Sequence, residues 1–153
     1  MTRIMELQME NTETKAKISK ETANRDFESW ADALGIEYDM DGMNTEEKSD
    51  FERLKSPIIK AIVDGRCVVD GNSLEYTIKT CAEAEGLIGR TVKIGVPSGK
   101  IYSGMDGYKE TQNVHRLNGA MSGMTGLDVG IFPKLDIRDY SFFKAVVQLF
   151  LSI

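Results

Sequence analysis

The sequence TGLDVGIFPKLDIRDYSFFKAVVQLFLSI occupies residues 125–153 and carries the strongest structural signal in the chain. Pro133 interrupts this segment, and Asp136 stands where the N-cap of a following helix would be. The apolar positions after it follow the i, i+3, i+7 spacing of an amphipathic stripe: Ile137, Tyr140, Phe143, Val147, Phe150 and Leu151. Phe142 and Val146 widen the stripe. We therefore predict a terminal helix that packs on its own domain or on a partner.

Composition restricts the class of protein. The chain has 153 residues, of which 41% are hydrophobic, enough for one core. It has 19 basic and 24 acidic residues, and this balance argues against nucleic acid as the main partner, because phosphate binding depends on clustered Lys and Arg. Residues 1–17 lack a continuous apolar segment, and no run approaches the roughly 20 apolar residues that span a membrane. We expect a soluble intracellular protein without a membrane partner.

The pattern along the chain predicts an α+β fold. Residues 1–18 have no clear period and are predicted to be a tail or a loosely attached segment. Residues 19–153 are predicted to form a single domain. Within it we expect a helical preface at 19–65, a small antiparallel sheet at 66–102 and a helical part at 103–153.

The preface is predicted to contain several helices. The first begins at Ser19 or Lys20 and ends at Leu34 before Gly35, and its one tryptophan, Trp30, is expected to be a core anchor. A second helix is expected after Asn44, which can cap it together with Glu47. Because proline is disfavoured inside a helix, Ser56-Pro57 is predicted to start a new helical segment that stops at Gly65.

The predicted sheet consists of a hairpin and one or two further strands. Residues 67–69 and 74–78 flank an Asp-Gly-Asn turn at 70–72. Residues 91–96 alternate apolar and polar side chains as a half-buried strand does. A proline turn at 97–99 is predicted to lead into a short strand at 100–102.

A further helix is predicted from about Asp106 to Gly126. Its apolar stripe consists of Val114, Leu117, Met121 and Met124. Gly119 and Gly123, four residues apart, would permit close contact with another helix, although glycine weakens a helix by roughly 1 kcal/mol relative to Ala.

No catalytic, metal-binding or cofactor-binding motif is found in the sequence. The loop GVPSGK at 95–100 is one residue short of a phosphate-binding loop. The acidic residues at 39–50 lack the glycine and the final glutamate of a calcium loop. His115 is expected to face solvent. Asp136 and Asp139 are expected to be first-turn caps, where a helix favours negative charge.

The cysteines Cys67 and Cys81 form no metal-binding pattern. Two reduced, half-buried thiols are the expectation, and a disulfide across the intervening hairpin is the alternative.

Residues 91–152 resemble one known family. The segment TVKIGVPSG at 91–99 is a strand that ends in a proline turn, and MSGMTGL at 121–127 closes a helix with a leucine-glycine junction. KLDIRDY at 134–140 has the form x-Leu-Asp-x-x-Asp-Tyr and leads into the aromatic helix with VVQLF at 146–150. In this layout the chain resembles the small tail assembly chaperones of long-tailed bacteriophages.

The resemblance implies a non-enzymatic protein of the host bacterial cytoplasm. Such a chaperone coats the long helical tape-measure protein until tail-tube subunits displace it, and a homo-oligomer is a further expectation. The implied partner-binding residues are Met121, Met124, Tyr140, Phe142, Phe143, Val146 and Phe150. The two methionines could equally belong to the core, whereas Phe142 is expected to be exposed because it lies off the main stripe.

Two other classes of function remain open at this stage. A structural component of the phage particle, such as a connector or tail-completion protein, would use the same helices in a ring or subunit interface. A small enzyme that uses Cys67 or the carboxylates is the third reading. It would require a concave pocket with convergent polar groups.

Overall fold

The computed structural model describes residues 18–36, 40–79 and 85–152. These residues form five α-helices: α1 (Lys20–Leu34), α2 (Thr45–Val63), α3 (Lys100–Met105), α4 (Asn113–Thr125) and α5 (Ile137–Leu151). The strands β1 (Cys67–Asp70), β2 (Ser73–Thr77) and β3 (Thr91–Ile94) lie between α2 and α3, and short 3-10 helices span Glu85–Leu87 and Val129–Lys134. The predicted α+β class is confirmed. The predicted tail lies outside the described residues, apart from Ile18.

Helix α1 begins and ends where the sequence predicts. Ser19 Oγ accepts a hydrogen bond from the Thr22 N–H at 3.1 Å, and Gly35 ends the helix with a φ of 72°. Trp30 is fully buried, with its ring 5.8 Å from that of Phe150. Its interpretation as a core anchor is confirmed.

Helix α2 corrects the prediction made for Pro57. The Asn44 cap is confirmed, because its Oδ1 accepts a hydrogen bond from the Glu47 N–H at 2.8 Å. Pro57, however, lies inside one continuous helix, so the predicted new start at Ser56 is wrong. Proline has no N–H to donate to the carbonyl of Arg53. The helix continues because its buried residues, each worth up to about 1.5–3 kcal/mol, outweigh that loss; they are Phe51, Ile58, Ile59, Ala61 and Ile62.

The strands form an antiparallel sheet with the order β1-β2-β3, and the predicted hairpin is confirmed. The pairing of Asp70 with Ser73 leaves a two-residue turn, and Gly71 takes a φ of 61° there. The face towards the helices carries two rows of side chains that run across the three strands. One row is Cys67, Tyr76 and Val92, and the other is Val69, Leu74 and Ile94. The opposite face carries Val68, Glu75 and Lys93, so the described residues cover the sheet on one side.

Residues 95–105 depart from the predicted strands. Strand β3 ends at Ile94, and Val96 is 64% exposed rather than part of the sheet. The predicted strand at 100–102 is wrong, because these residues begin helix α3.

Helix α3 packs backbone to backbone on α4, as the glycine spacing permits. A Cβ atom on Gly119 would overlap the carbonyl oxygen of Gly104, and one on Gly123 would overlap the carbonyl oxygen of Lys100. The predicted close contact of the two glycines with another helix is confirmed. This tertiary contact explains why residues 100–105 are helical despite their strand-like alternation.

Helix α4 begins at Asn113, several residues later than predicted. Val114 is 64% exposed, so the predicted stripe is wrong at its first position. Met121 is fully buried, whereas Leu117 and Met124 are half-buried against the core.

Helix α5 has the predicted cap, because Asp136 Oδ1 accepts a hydrogen bond from the Arg138 N–H at 2.9 Å. Ile137 is 78% exposed, so its place in the predicted buried stripe is wrong. The helix packs mainly on α2 and to a smaller extent on α4, where Tyr140 Oη donates to Asn118 Oδ1 at 2.8 Å. Helix α4 therefore forms the smaller part of the helix contacts of α5, and the predicted packing of the terminal helix on its own domain is confirmed.

Candidate functional site

A buried polar network joins the end of α2, the central strand and α5. Arg66 Nη1 donates to Tyr76 Oη at 2.7 Å, and Tyr76 Oη donates to Asp139 Oδ1. Arg66 also lies 3.5 Å from Asp139 Oδ1 through Nη1 and 3.2 Å from Asp64 Oδ2 through Nη2. The rings of Phe142 and Tyr76 stack with centroids 4.2 Å apart and help to exclude water from the network.

Asp139 lies in the first turn of α5, as predicted, but its predicted role as a cap is wrong. Its side chain is fully buried and points to Arg66 and Tyr76, while Asp136 alone caps the helix. Asp139 lies three and four residues before Phe142 and Phe143, on the face that packs into the core. That spacing is the sequence signal that could have placed this carboxyl group inside.

Burial shifts the pKa values of two groups in the network. Burial, followed by the hydrogen bond to Asp139, raises the pKa of Tyr76, so the phenol stays neutral at physiological pH. Burial also raises the pKa of Asp139, although the hydrogen bond from Tyr76 and the charge of Arg66 oppose that shift. The hydrogen bonds among Arg66, Tyr76 and Asp139 connect the end of α2, β2 and α5.

The residues predicted to bind a partner lie largely in the chain's own core. Five are buried: Met121, Phe142, Phe143, Val146 and Phe150. Met124 and Tyr140 are half-buried. The expected exposure of Phe142 is wrong, because its ring stacks on Tyr76 from the widened side of the stripe. The apolar stripe of α5 therefore packs mainly inside the fold, so an exposed surface elsewhere would offer a partner more contact area.

A groove between α1 and α2 provides such a surface, which we call the lysine groove. The two helices run antiparallel, since the Ile18 N–H donates to the Val63 carbonyl at one end and Phe27 packs on Phe51 towards the other. The groove has a volume of about 320 Å³, and Lys20 and Asn24 line it on the α1 side. Helix α2 supplies Glu52, Lys55, Ser56, Ile59, Lys60 and Val63.

The charges of the lysine groove are unbalanced. No described acidic side chain forms an ion pair with Lys20, Lys55 or Lys60, and Glu52 is the only acidic residue in the lining. Lys20 lies in the first turn of α1, where the helix dipole disfavours a positive charge. Lys55 Nζ lies 5.4 Å from the centre of the Phe27 ring. The contact with Phe27 thus accounts for the position of the Lys55 ammonium group, whereas neither the helix dipole nor a described ion pair favours a lysine at position 20.

A second hollow of about 230 Å³ adjoins the lysine groove and shares Ser56 and Lys60 with it. Its lining also includes Pro57, Arg66, Ile137, Arg138 and Ser141. Arg138 pairs with Asp136 at 2.9 Å, and Arg66 belongs to the buried network. The uncompensated charge of this hollow therefore comes from Lys60, and its exposed apolar side chain is Ile137.

Neither His115 nor Cys67 lines the lysine groove or the second hollow. His115 is exposed, as predicted, and stacks on Tyr108 with centroids 5.9 Å apart. Cys67 is buried, which raises the pKa of its thiol to about 12, whereas Cys81 lies outside the described residues. Within the described ranges, no group of three His, Cys, Asp or Glu side chains is arranged to hold a metal ion.

No protein-family model, curated protein or solved structure matches this chain. In the part of the chain that the structure describes, none of the helices combines the length and the apolar character needed to cross a membrane. Function is therefore inferred from the residues and their geometry.

Proposed function

We propose that this protein is a phage tail assembly chaperone that binds the tape-measure protein and keeps it soluble. The observation that carries the proposal is the order of elements in residues 91–152. The resemblance in sequence covers strand β3, the turn at Pro97, helix α4, the Gly126-Leu127 junction and the 3-10 helix. Helix α3 lies between the turn and α4 as an additional element. The Asp136-capped aromatic helix α5 completes that layout.

The physical task suits a small acidic protein. A tape-measure protein has long apolar helix faces before the tail tube surrounds it, and such faces aggregate when they meet water. A partner with a formal net charge of -5 keeps the complex soluble while it covers them. In this proposal the protein acts without catalysis in the host cytoplasm and is released when tail-tube subunits bind.

Co-expression with the tape-measure protein of the same phage tests the proposal. We expect the tape-measure protein to move from the insoluble to the soluble fraction and to co-purify with several copies of this chain. Purified mature tails should lack the chain, as judged by mass spectrometry.

A fixed number of copies of this chain in purified tails would contradict the chaperone proposal. That result would favour the alternative, a structural component such as a connector or tail-completion protein. An insoluble tape-measure protein in the presence of the folded chain would also contradict it.

A further inference from the structure

We propose that the lysine groove binds an acidic amphipathic α-helix of a partner protein. The inference rests on the proposed function in one respect: the tape-measure protein is the partner in which this helix is expected. The groove, its charges and its floor are properties of the described residues, so the inference can also be tested with an isolated peptide.

The length of the groove matches a short helix. The residues of α2 that line it recur every three to four positions, as on one continuous face of a helix. They are Glu52, Lys55, Ser56, Ile59, Lys60 and Val63. At 1.5 Å per residue that face is about 16 Å long, which corresponds to about three turns of a partner helix. Helix-in-groove recognition uses contacts at this spacing.

The floor of the groove is apolar. Ile59 is almost completely buried, and Val63 is half-buried against the core. The methylene stems of Lys55 and Lys60 can cover further apolar area while their ammonium groups stay in water. Because Ile59 is already buried, the apolar area that a partner helix can cover comes mainly from Val63 and from these lysine stems.

The rim of the groove selects an acidic partner. Lys20 on one wall and Lys55 and Lys60 on the other carry three positive charges without a described acidic partner. Carboxylates that flank the apolar stripe of a helix would meet these charges on both sides. Glu52, at one end of the lining, would repel an acidic group there and so favour one orientation of the helix.

Nucleic acid fits this groove less well than a protein helix. A phosphate backbone binds to clustered basic residues and gains little from an apolar floor. The whole chain has more acidic than basic residues, 24 against 19, and would repel a polyanion outside the groove. A helix with both apolar and acidic side chains uses the floor and the rim together.

Charge reversal on the rim tests the inference. The variant Lys20→Glu/Lys55→Glu/Lys60→Glu should bind the tape-measure protein at least about 10-fold more weakly, because like charges across an interface are strongly unfavourable. The control Lys48→Glu/Lys109→Glu/Lys144→Glu makes the same change in net charge at exposed positions outside the groove. It should bind within about 2-fold of the wild type. Circular dichroism melts of both variants establish that they are folded.

Salt dependence gives a second measurement. Wild-type affinity should fall as salt screens the attraction, whereas the affinity of the groove variant should rise. Equal binding by the groove and control variants would overturn the inference. So would a groove variant that loses self-association but keeps its affinity for the partner, since the groove would then bind a second copy of this chain.

A synthetic peptide separates this inference from the proposed function. An acidic amphipathic helical peptide should bind the wild type, whereas a peptide with Lys in place of each Glu should not. If the tape-measure protein does not bind but the acidic peptide does, the proposed function fails and the groove assignment stands. If neither peptide binds, or if a single-stranded oligonucleotide binds the groove more tightly than the acidic peptide, the groove assignment fails.

Discussion

Arg66, Tyr76 and Asp139 place a guanidinium, a phenol and a carboxyl group largely out of water, where they form hydrogen bonds with one another. Arg66 has a further partner in Asp64. Burying such groups is costly unless they are paired, and removing one partner leaves the remaining charge uncompensated. Asp139 Oδ2 already lacks a hydrogen-bond partner among the described residues. The network therefore has little capacity to absorb a further loss.

The variant Tyr76→Phe tests this dependence. It should lower the free energy of unfolding by about 2–3 kcal/mol, because it removes the bonds to Arg66 and Asp139 while both stay buried. The control Tyr140→Phe removes a single bond, to Asn118, from a half-buried phenol, and should cost about 1 kcal/mol or less. Urea unfolding gives both values. Equal losses in the two variants would contradict the coupling of the three groups.

Cys67 leads to a prediction about pH. Burial raises the pKa of its thiol from 9.0 to about 12, so the folded state binds this proton more tightly than the unfolded state. The stabilising contribution is complete below pH 9 and is lost as the pH rises from there towards 12. In a Cys81→Ser background, the stability difference between the parent chain and Cys67→Ala should narrow by up to about 2 kcal/mol between pH 9 and pH 10.5.

Unfolding of both chains in urea at several pH values measures that difference. A loss of stability that is common to both chains reflects other groups and cancels in the comparison. A difference that stays constant from pH 8 to pH 10.5 would show that the thiol does not lose its proton on unfolding in this range.

At the scale of elements, α2 combines an unfavourable proline with a strongly buried face. Pro57→Ala should raise the free energy of unfolding by about 1–2 kcal/mol. The alanine supplies an N–H to the Arg53 carbonyl and so recovers part of the roughly 3 kcal/mol by which proline destabilises a helix. Against this, the unfolded chain becomes less restricted without proline, which lowers the stability by about 0.4–1 kcal/mol. The control Lys48→Ala, an exposed position in the same helix, should change stability by less than about 0.5 kcal/mol.

Thermal or urea unfolding of the two variants decides the point. A Pro57→Ala variant that loses several kcal/mol would mean that the packing of α2 on α5 requires a bend set by the proline.

The elements that the sequence predicts correctly have strong local signals. Ser19, Asn44 and Asp136 are caps with side-chain hydrogen bonds, and the hairpin turn contains Gly71 in the left-handed region. The strand predicted at residues 100–102 rests on a three-residue alternation, which is too short to tell a strand from a helix. Packing of Gly104 on Gly119 decides between them, and no local pattern contains that contact.

The lysine groove is not predicted from the sequence, because the predicted helix boundary at Ser56-Pro57 is wrong. A helix break at Ser56-Pro57 divides the face from Glu52 to Val63 between two elements, so its continuous lining could not be seen. Lys20 lies far from that face in sequence and joins it only through the antiparallel packing of α1 on α2. The sequence shows the charge of each lysine, but only the tertiary structure shows that Lys20 and the lysines of α2 line the same groove.

At the scale of the whole molecule, α5 connects the parts of the core. Phe150 contacts Trp30 of α1, Phe142 stacks on Tyr76 of the sheet, and Phe143 packs edge-on against Phe132 before the helix. The helix also contacts α2 and α4. The sequence predicts that this aromatic helix packs either on its own domain or on a partner. In the structure it packs in the interior of its own chain.

A chain that ends at Asp136 should therefore lose cooperative unfolding. The truncation exposes the apolar faces of α1, α2 and the sheet and leaves Arg66 and Tyr76 without Asp139, so the remaining residues should form a compact state without fixed packing. We expect retained far-UV circular dichroism, loss of the near-UV signal, and binding of the dye ANS. The matched control Ile137→Ala changes an exposed residue of the same helix and should keep the sharp transition of the full chain. A truncated chain that stays monomeric and unfolds as sharply as the full chain would mean that the first four helices and the sheet form a core without α5.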